Sequence, residues 1–124
     1  MILVDSSGSI KDQDPGNWDI IMTFLEQLID DIDAKSPVGT DSKIAIFSYS
    51  YMVDPDIQLG QSLTADQIKK QISDGKIRYQ GSITRMFMAV KAGRAHLEAN
   101  VRMGRDGFNA QQVYYFAFIY FFNQ

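Results

Sequence analysis

The sequence contains no cysteine, which excludes disulfide bonds and metal sites built on thiolates. Its only histidine, His96, has no evident serine or aspartate partner, so nothing indicates a nucleophilic triad. Basic residues are too few for a nucleic-acid footprint, because 12 lysines and arginines face 15 acidic residues and the net charge is -3. The longest apolar run, residues 113–122, is far too short to cross a bilayer, and no signal-peptide pattern is visible in the sequence, whose true beginning we expect to be missing. Nucleic-acid binding and membrane insertion are therefore not expected.

The length and composition of the chain are typical of one globular domain. The chain has 124 residues, of which 45% are hydrophobic and 22% charged. No internal repeat and no linker rich in proline, glycine or serine divides it. We expect residues 1–124 to form a single domain.

The first ten residues carry the strongest functional signal. An unbroken apolar run, residues 1–4, is typical of a strand buried inside a parallel sheet. It leads directly into Asp5, Ser7 and Ser9, spaced by two, and ligands bind beyond the carboxyl ends of such strands. Hard oxygen donors that converge on one point suit Mg²⁺ or Mn²⁺. A polar turn is the alternative interpretation of these residues, because such side chains also bond to the local backbone.

The segment from Leu3 to Ile10, Leu-Val-Asp-Ser-Ser-Gly-Ser-Ile, resembles the opening of a von Willebrand factor type A domain of the matrilin and collagen VI kind. The sequence segments 47–50 and 77–84 resemble the same family, and so does the order of the predicted strands and helices. The resemblance implies a doubly wound α/β fold of Rossmann-like type, with a mostly parallel sheet and one antiparallel edge strand. It covers about the first 113 residues.

The resemblance also implies a metal-ion-dependent adhesion site. By position, Ser7, Ser9 and Thr84 would bind Mg²⁺ or Mn²⁺, and Asp5 would bind largely through water. A carboxylate from a protein partner, such as collagen or another matrix protein, would then fill an open metal position. This family setting implies an extracellular adhesion module.

Three departures from the family pattern weaken the predicted site. No acidic residue lies near residues 118–120, where the family has a second aspartate, and divalent affinity falls with ligand charge. Arg85 and Phe87 replace small residues after Thr84, so the helix start is expected to be displaced. The last strands and helices of the domain are missing, and the sequence begins inside its first strand. We therefore expect an incomplete domain whose metal site is weak or absent.

Two other functions are compatible with parts of the pattern. A matrix module could bind partners through its surface without metal. A phosphoryl-transfer enzyme of the haloacid dehalogenase type also has an aspartate after its first strand, but it needs a second acid two residues later, where this chain has Ser7. An enzyme is therefore not expected.

Local patterns predict the remaining elements. Asp14 and Pro15 predict the start of a helix with an apolar stripe, which contains Trp18, Ile21, Leu25, Leu28 and Ile32. Strands are predicted over residues 43–51 and 52–59, and Thr64 is predicted to cap a helix over 65–73. A further helix is predicted over 84–99, with one face toward the sheet that contains Met86, Val90, Gly93 and Leu97.

The run at residues 113–122 is mostly aromatic, whereas buried parallel strands are usually rich in Val, Ile and Leu. We expect it to substitute only partly for the fourth strand, because rings of that size overpack a two-sided core. A long apolar edge is also a template for pairing with another chain. The sequence thus predicts self-association through this last strand.

Overall fold

A computed structural model of the protein describes residues 1–103 and 117–119, with side chains for residues 1–100. The strands are β1 (Ile2–Asp5), β2 (Ile46–Tyr49), β3 (Val53–Ile57) and β4 (Ala117–Ile119). The helices are α1 (Gly8–Gln13), α2 (Asn17–Lys35), α3 (Ala65–Ser73) and α4 (Met86–Met103), and a 3₁₀ turn spans Leu59–Gln61.

The strands form one mixed sheet in the order β3-β2-β1-β4. Strand β1 is parallel to both β2 and β4, whereas β3 is antiparallel to β2 at the edge. The central position of β1 explains why its residues are apolar without alternation. The predicted fold class, a mostly parallel sheet with one antiparallel edge strand, is confirmed.

The edge strand β3 contains Pro55 and an inward-facing acid. The carboxylate of Asp56 accepts a hydrogen bond from the backbone N–H of Ser48 at 2.9 Å, where the register between β2 and β3 shifts. Burial raises the pKa of Asp56 above its ordinary value. A proline and a buried carboxylate both discourage pairing of this edge with another strand.

Helices cover both faces of the sheet. One core cluster packs Ile2 and Val4 of β1 against apolar side chains of α2 and α3. The other packs Leu3 with Phe47, Tyr49 and, from α4, Ala89. Side chains of a strand alternate between the two faces, so β1 contributes to both clusters and the fold is doubly wound.

Helix α2 begins later than predicted. Asp14 caps a turn and not the long helix, because its carboxylate accepts a hydrogen bond from the N–H of Gly16 at 2.7 Å. The short helix α1 precedes this turn, and the side chain of Asn17 ties α2 to α1 by donating to the carbonyl of Ile10 at 3.0 Å. The predicted apolar stripe is otherwise correct, since Trp18, Ile21 and Leu25 are buried.

Helix α4 begins at Met86 and not at Thr84. The carbonyl of Ile83 accepts the Ser50 hydroxyl at 2.8 Å, whereas the first helical bonds, from the N–H groups of Met88 and Ala89, go to the carbonyl of Arg85. The prediction that Met86 faces the sheet is wrong, since its side chain is 40% exposed. Among the described side chains of the helix, up to residue 100, the buried positions are Ala89, Gly93 and Leu97.

Residues 117–119 pair with β1 as the fourth strand, so part of the predicted segment 113–122 occupies this slot. The rest of that segment lies outside the described residues, and its overpacking and self-association stay predictions. Among the residues described, no helix is long and apolar enough to cross a membrane.

His96 joins α4 to the 3₁₀ turn and is expected to make stability depend on pH. Its Nε2 accepts a hydrogen bond from the N–H of Leu59 at 3.1 Å, and its ring lies 5.0 Å from that of Phe47. Burial, followed by the positive amino terminus, lowers the pKa of His96 below 6.5.

Because the neutral ring is favoured in the folded state, its contribution is complete above pH 6.5 and is lost as the pH falls through the lower folded-state pKa. We expect a loss of about 1 kcal/mol in the free energy of unfolding, comparable to one hydrogen bond. Urea denaturation from pH 7.5 to pH 5 measures it. In His96→Gln, the free energy of unfolding should depend less on pH over this range. If the variant keeps the pH dependence of the wild type, that dependence comes from other groups.

Candidate metal centre

The loop after β1 brings together three of the four predicted site residues. Asp5 ends the strand and is buried, and its Oδ1 accepts a hydrogen bond from the N–H of Ser7 at 2.8 Å. Ser6 fixes the loop to β2, because its N–H and Oγ both donate to the carbonyl of Tyr49, at 2.8 and 3.1 Å. The loop is therefore held on both sides of Asp5.

The hydroxyls of Ser7 and Ser9 lie side by side. Ser7 occupies the N-cap position of α1, yet its side chain makes no capping bond to the helix. Its Oγ lies 3.2 Å from the Oγ of Ser9. Ser7 at the N-cap and Ser9 in the first turn of α1 therefore bring their hydroxyls together.

This arrangement fits a small divalent cation. Oxygens in adjacent positions of an octahedral Mg²⁺ shell lie about 3 Å apart, close to the separation of the two serine hydroxyls. Within the described part of the chain, no group of three or more His, Cys, Asp or Glu side chains could hold a metal. A metal at this point would therefore depend on hydroxyls, one carboxylate and water, which favour Mg²⁺ or Mn²⁺ over softer cations.

Thr84 lies in a second loop, residues 79–85, which packs against the first. The N–H of Gly81 donates to the carbonyl of Ser6 at 2.9 Å, and the N–H of Gly8 donates to the carbonyl of Ser82 at 2.8 Å. Thr84 itself is exposed. The structure thus docks the loop that contains Thr84 onto the loop that contains Asp5, Ser7 and Ser9.

The side chain of Tyr79 connects the second loop to the start of α1. Its hydroxyl donates to the carbonyl of Gly8 at 3.0 Å, and its ring lies 5.4 Å from that of Trp18 and beneath the ammonium group of Lys11. Gly81 has φ +70°, and a Cβ there would lie 3.0 Å from the tyrosine ring. Only glycine fits this turn without strain or displacement.

Ser50 anchors the second loop, and no pattern in the sequence was interpreted as indicating this contact. It is buried just beyond β2, where its Oγ donates to the carbonyl of Ile83 at 2.8 Å and accepts from the N–H of Ser82 at 3.1 Å. Ser50 directly follows an apolar strand that is parallel to β1. The carboxyl ends of parallel strands meet at one edge of a sheet, so this position could have indicated that Ser50 lies near the candidate site.

The surface beside Thr84 is apolar with one cation. The guanidinium of Arg85 lies 4.1 Å from the centre of the Tyr51 ring. Large apolar side chains are exposed in the two segments that meet here: Tyr51, Met52, Ile83, Phe87 and Met88. Arg85 and Phe87, the departures noted in the sequence, thus lie at the loop end and the first turn of α4, and the displaced helix start is observed.

Comparison with known proteins identifies the family. The family model of the von Willebrand factor type A domain matches residues 1–117. The chain belongs to this family. Domains of the family are generally binding modules and not enzymes, and they generally bind protein ligands. No curated protein matches the chain.

Solved structures agree with the fold. The chain is similar to proximal thread matrix protein 1 from the mussel byssus, with 23% identity and a TM-score of 0.75 over 94% of this chain. A second structure of that protein, described as having a zinc-occupied metal-ion-dependent adhesion site motif, gives 22% identity and a TM-score of 0.69 over 86% of this chain. The chain spans only 28% and 27% of the lengths of these two structures.

Proposed function

We propose that the chain is a metal-dependent protein-binding module of the adhesion type. The single observation that carries this proposal is the pair of serine hydroxyls 3.2 Å apart, beside the buried carboxylate of Asp5. In a simple polar turn the Ser7 hydroxyl is expected to cap the helix that follows, whereas here it makes no capping bond and contacts the hydroxyl of Ser9.

In this proposal Ser7, Ser9 and Thr84 hold the cation through hydroxyl oxygens, and Asp5 holds it largely through water. The cation supplies a positive charge that attracts a carboxylate from the partner. Asp5 is the one carboxylate among the proposed ligands, so the site keeps net positive charge when loaded. The backbone contacts of Ser6 and Gly81 hold the two loops in register for this task.

The proposed partner is a matrix protein that presents an acidic side chain, with collagen as one candidate, and the proposed location is extracellular. Family membership and the similarity to a byssal matrix protein support both statements. The zinc described for that relative supports a divalent cation in this fold. For this chain the all-oxygen donor set favours Mg²⁺ or Mn²⁺.

A thermal-shift titration tests the metal. We expect MgCl₂ or MnCl₂ to raise the melting temperature of the wild-type chain, because a ligand that binds only the folded state stabilises it. EDTA should reverse the effect, and Ser7→Ala should remove it. No metal-dependent shift, or an equal shift in Ser7→Ala, contradicts the proposal.

A second candidate is a surface module that binds its partner without metal. The exposed side chains of Tyr51, Met52, Ile83 and Phe87 favour it, since large apolar side chains grouped on an exposed surface mark interaction sites. Partner binding that survives EDTA and Asp5→Ala would support this candidate over the first.

A further inference from the structure

We infer that Ser50 is a positioning residue for the proposed metal site, which holds Thr84 in place without touching the metal. This inference rests on the proposed function. It concerns a residue just beyond β2 that belongs to neither of the two site loops.

Ser50 makes three hydrogen bonds to the residues around Thr84. Its hydroxyl donates to the carbonyl of Ile83 at 2.8 Å and accepts from the N–H of Ser82 at 3.1 Å. Its own carbonyl accepts from the N–H of Arg85 at 3.1 Å. One side chain and one backbone group therefore hold the chain on both sides of Thr84.

Burial makes this anchor rigid. Ser50 is fully buried, whereas the residues that it holds, Ser82 to Arg85, are exposed. An exposed loop has few contacts of its own to fix its backbone. Outer hydrogen bonds that orient ligands typically alter metal affinity about 10- to 100-fold when they are removed.

The Ser50 contact also explains where α4 begins. The carbonyl of Ile83 accepts the Ser50 hydroxyl, whereas the first helical bonds go to the carbonyl of Arg85, and regular helix starts at Met86. The hydroxyl of Thr84 thus projects from a held loop and not from the free first turn of a helix. A change at Ser50 should move Thr84 while the helix itself persists.

The first measurement is amide hydrogen exchange by NMR in the metal-free chain. Ser50→Ala should accelerate exchange of the Ser82 N–H by about tenfold or more, because that amide loses its acceptor. The Gly81 N–H, which bonds to Ser6, should change little. Ser50→Cys, which nearly keeps the volume but is a weaker acceptor, should give a smaller effect and carries the test if the alanine variant does not fold.

The second measurement is Mg²⁺ affinity by calorimetry. Ser50→Ala should weaken binding about tenfold. Thr84→Val should also weaken it, and adding Ser50→Ala to Thr84→Val should cost little more, because the serine acts through the threonine. Ser42→Ala is the matched control, since that hydroxyl also donates to a backbone carbonyl at 2.8 Å but lies before β2, at the other end of the sheet.

Each outcome has a separate meaning. Unchanged exchange of the Ser82 amide overturns the inference, as does faster exchange with wild-type Mg²⁺ affinity. Additive losses in the double variant also overturn it, because Ser50 would then act independently of Thr84. A wild-type chain that binds no Mg²⁺ overturns the proposed function, while the exchange data still decide whether Ser50 anchors the loop.

Discussion

Asp5→Asn is expected to abolish the stabilisation that Mg²⁺ or Mn²⁺ gives the wild-type chain. At a metal concentration one hundred times the dissociation constant, the wild type should gain about 2.7 kcal/mol. For a domain of this size, that corresponds to a rise of roughly 10 °C in melting temperature. The asparagine variant loses the only carboxylate of the site and should show almost none of this rise.

Asparagine is the informative replacement because Asp5 also has a structural role. Its Oδ1 accepts the hydrogen bond from the Ser7 N–H, and the amide oxygen of asparagine can do the same. Asp5→Ala removes this acceptor as well and should cost a further ~1–3 kcal/mol of stability without metal. Asp31→Ala, an exposed change of the same charge on α2, is the control. A metal response retained in Asp5→Asn would exclude Asp5 from the site.

Gly81→Ala is expected to be the most damaging substitution in the second loop. Gly81 has φ +70°, where an alanine is strained, and the added Cβ would lie 3.0 Å from the ring of Tyr79. Strain of about 1 kcal/mol and overpacking of about 1–3 kcal/mol should add. Displacement of Tyr79 should also weaken metal binding, because its hydroxyl holds the carbonyl of Gly8.

Gly75→Ala separates the cost of backbone strain from the cost of overpacking against Tyr79. Gly75 has φ +78°, but a Cβ added there would have nothing within 4 Å, so this change should cost the strain alone and leave metal affinity unchanged. Chemical denaturation and calorimetry of both variants measure the difference. Equal destabilisation by the two substitutions would contradict the packing of Tyr79 over Gly81.

Local signals in the sequence predicted the elements that depend on local contacts. The Thr64 capping box correctly predicted where α3 begins, because Thr64 and Gln67 exchange hydrogen bonds within one turn. The apolar run before Asp5 likewise predicted a central buried strand. Where competing local bonds existed the prediction failed, as at Asp14, whose carboxylate binds Gly16 and closes a turn before α2.

Contacts between distant residues could not be predicted from one sequence. The start of α4 depends on the hydroxyl bond that Ser50 donates to the carbonyl of Ile83, which joins residues 33 positions apart. The family pattern indicated Asp5, Ser7, Ser9 and Thr84 as ligands. It did not indicate the side chains that hold their loops, which are Ser6, Ser50 and Tyr79.

The most direct test of a metal centre at these loops is paramagnetic broadening of backbone amide signals by Mn²⁺. We expect substoichiometric Mn²⁺ to broaden the amides of Ser7, Ser9 and Thr84 first. Unspecific attraction of the cation would instead be expected at acidic surfaces such as the cavity of about 620 Å³ beside β3 and the end of α3, whose lining includes Asp54, Asp56 and Asp74. Broadening centred on that cavity, or spread without preference over the acidic surface, would contradict the central claim.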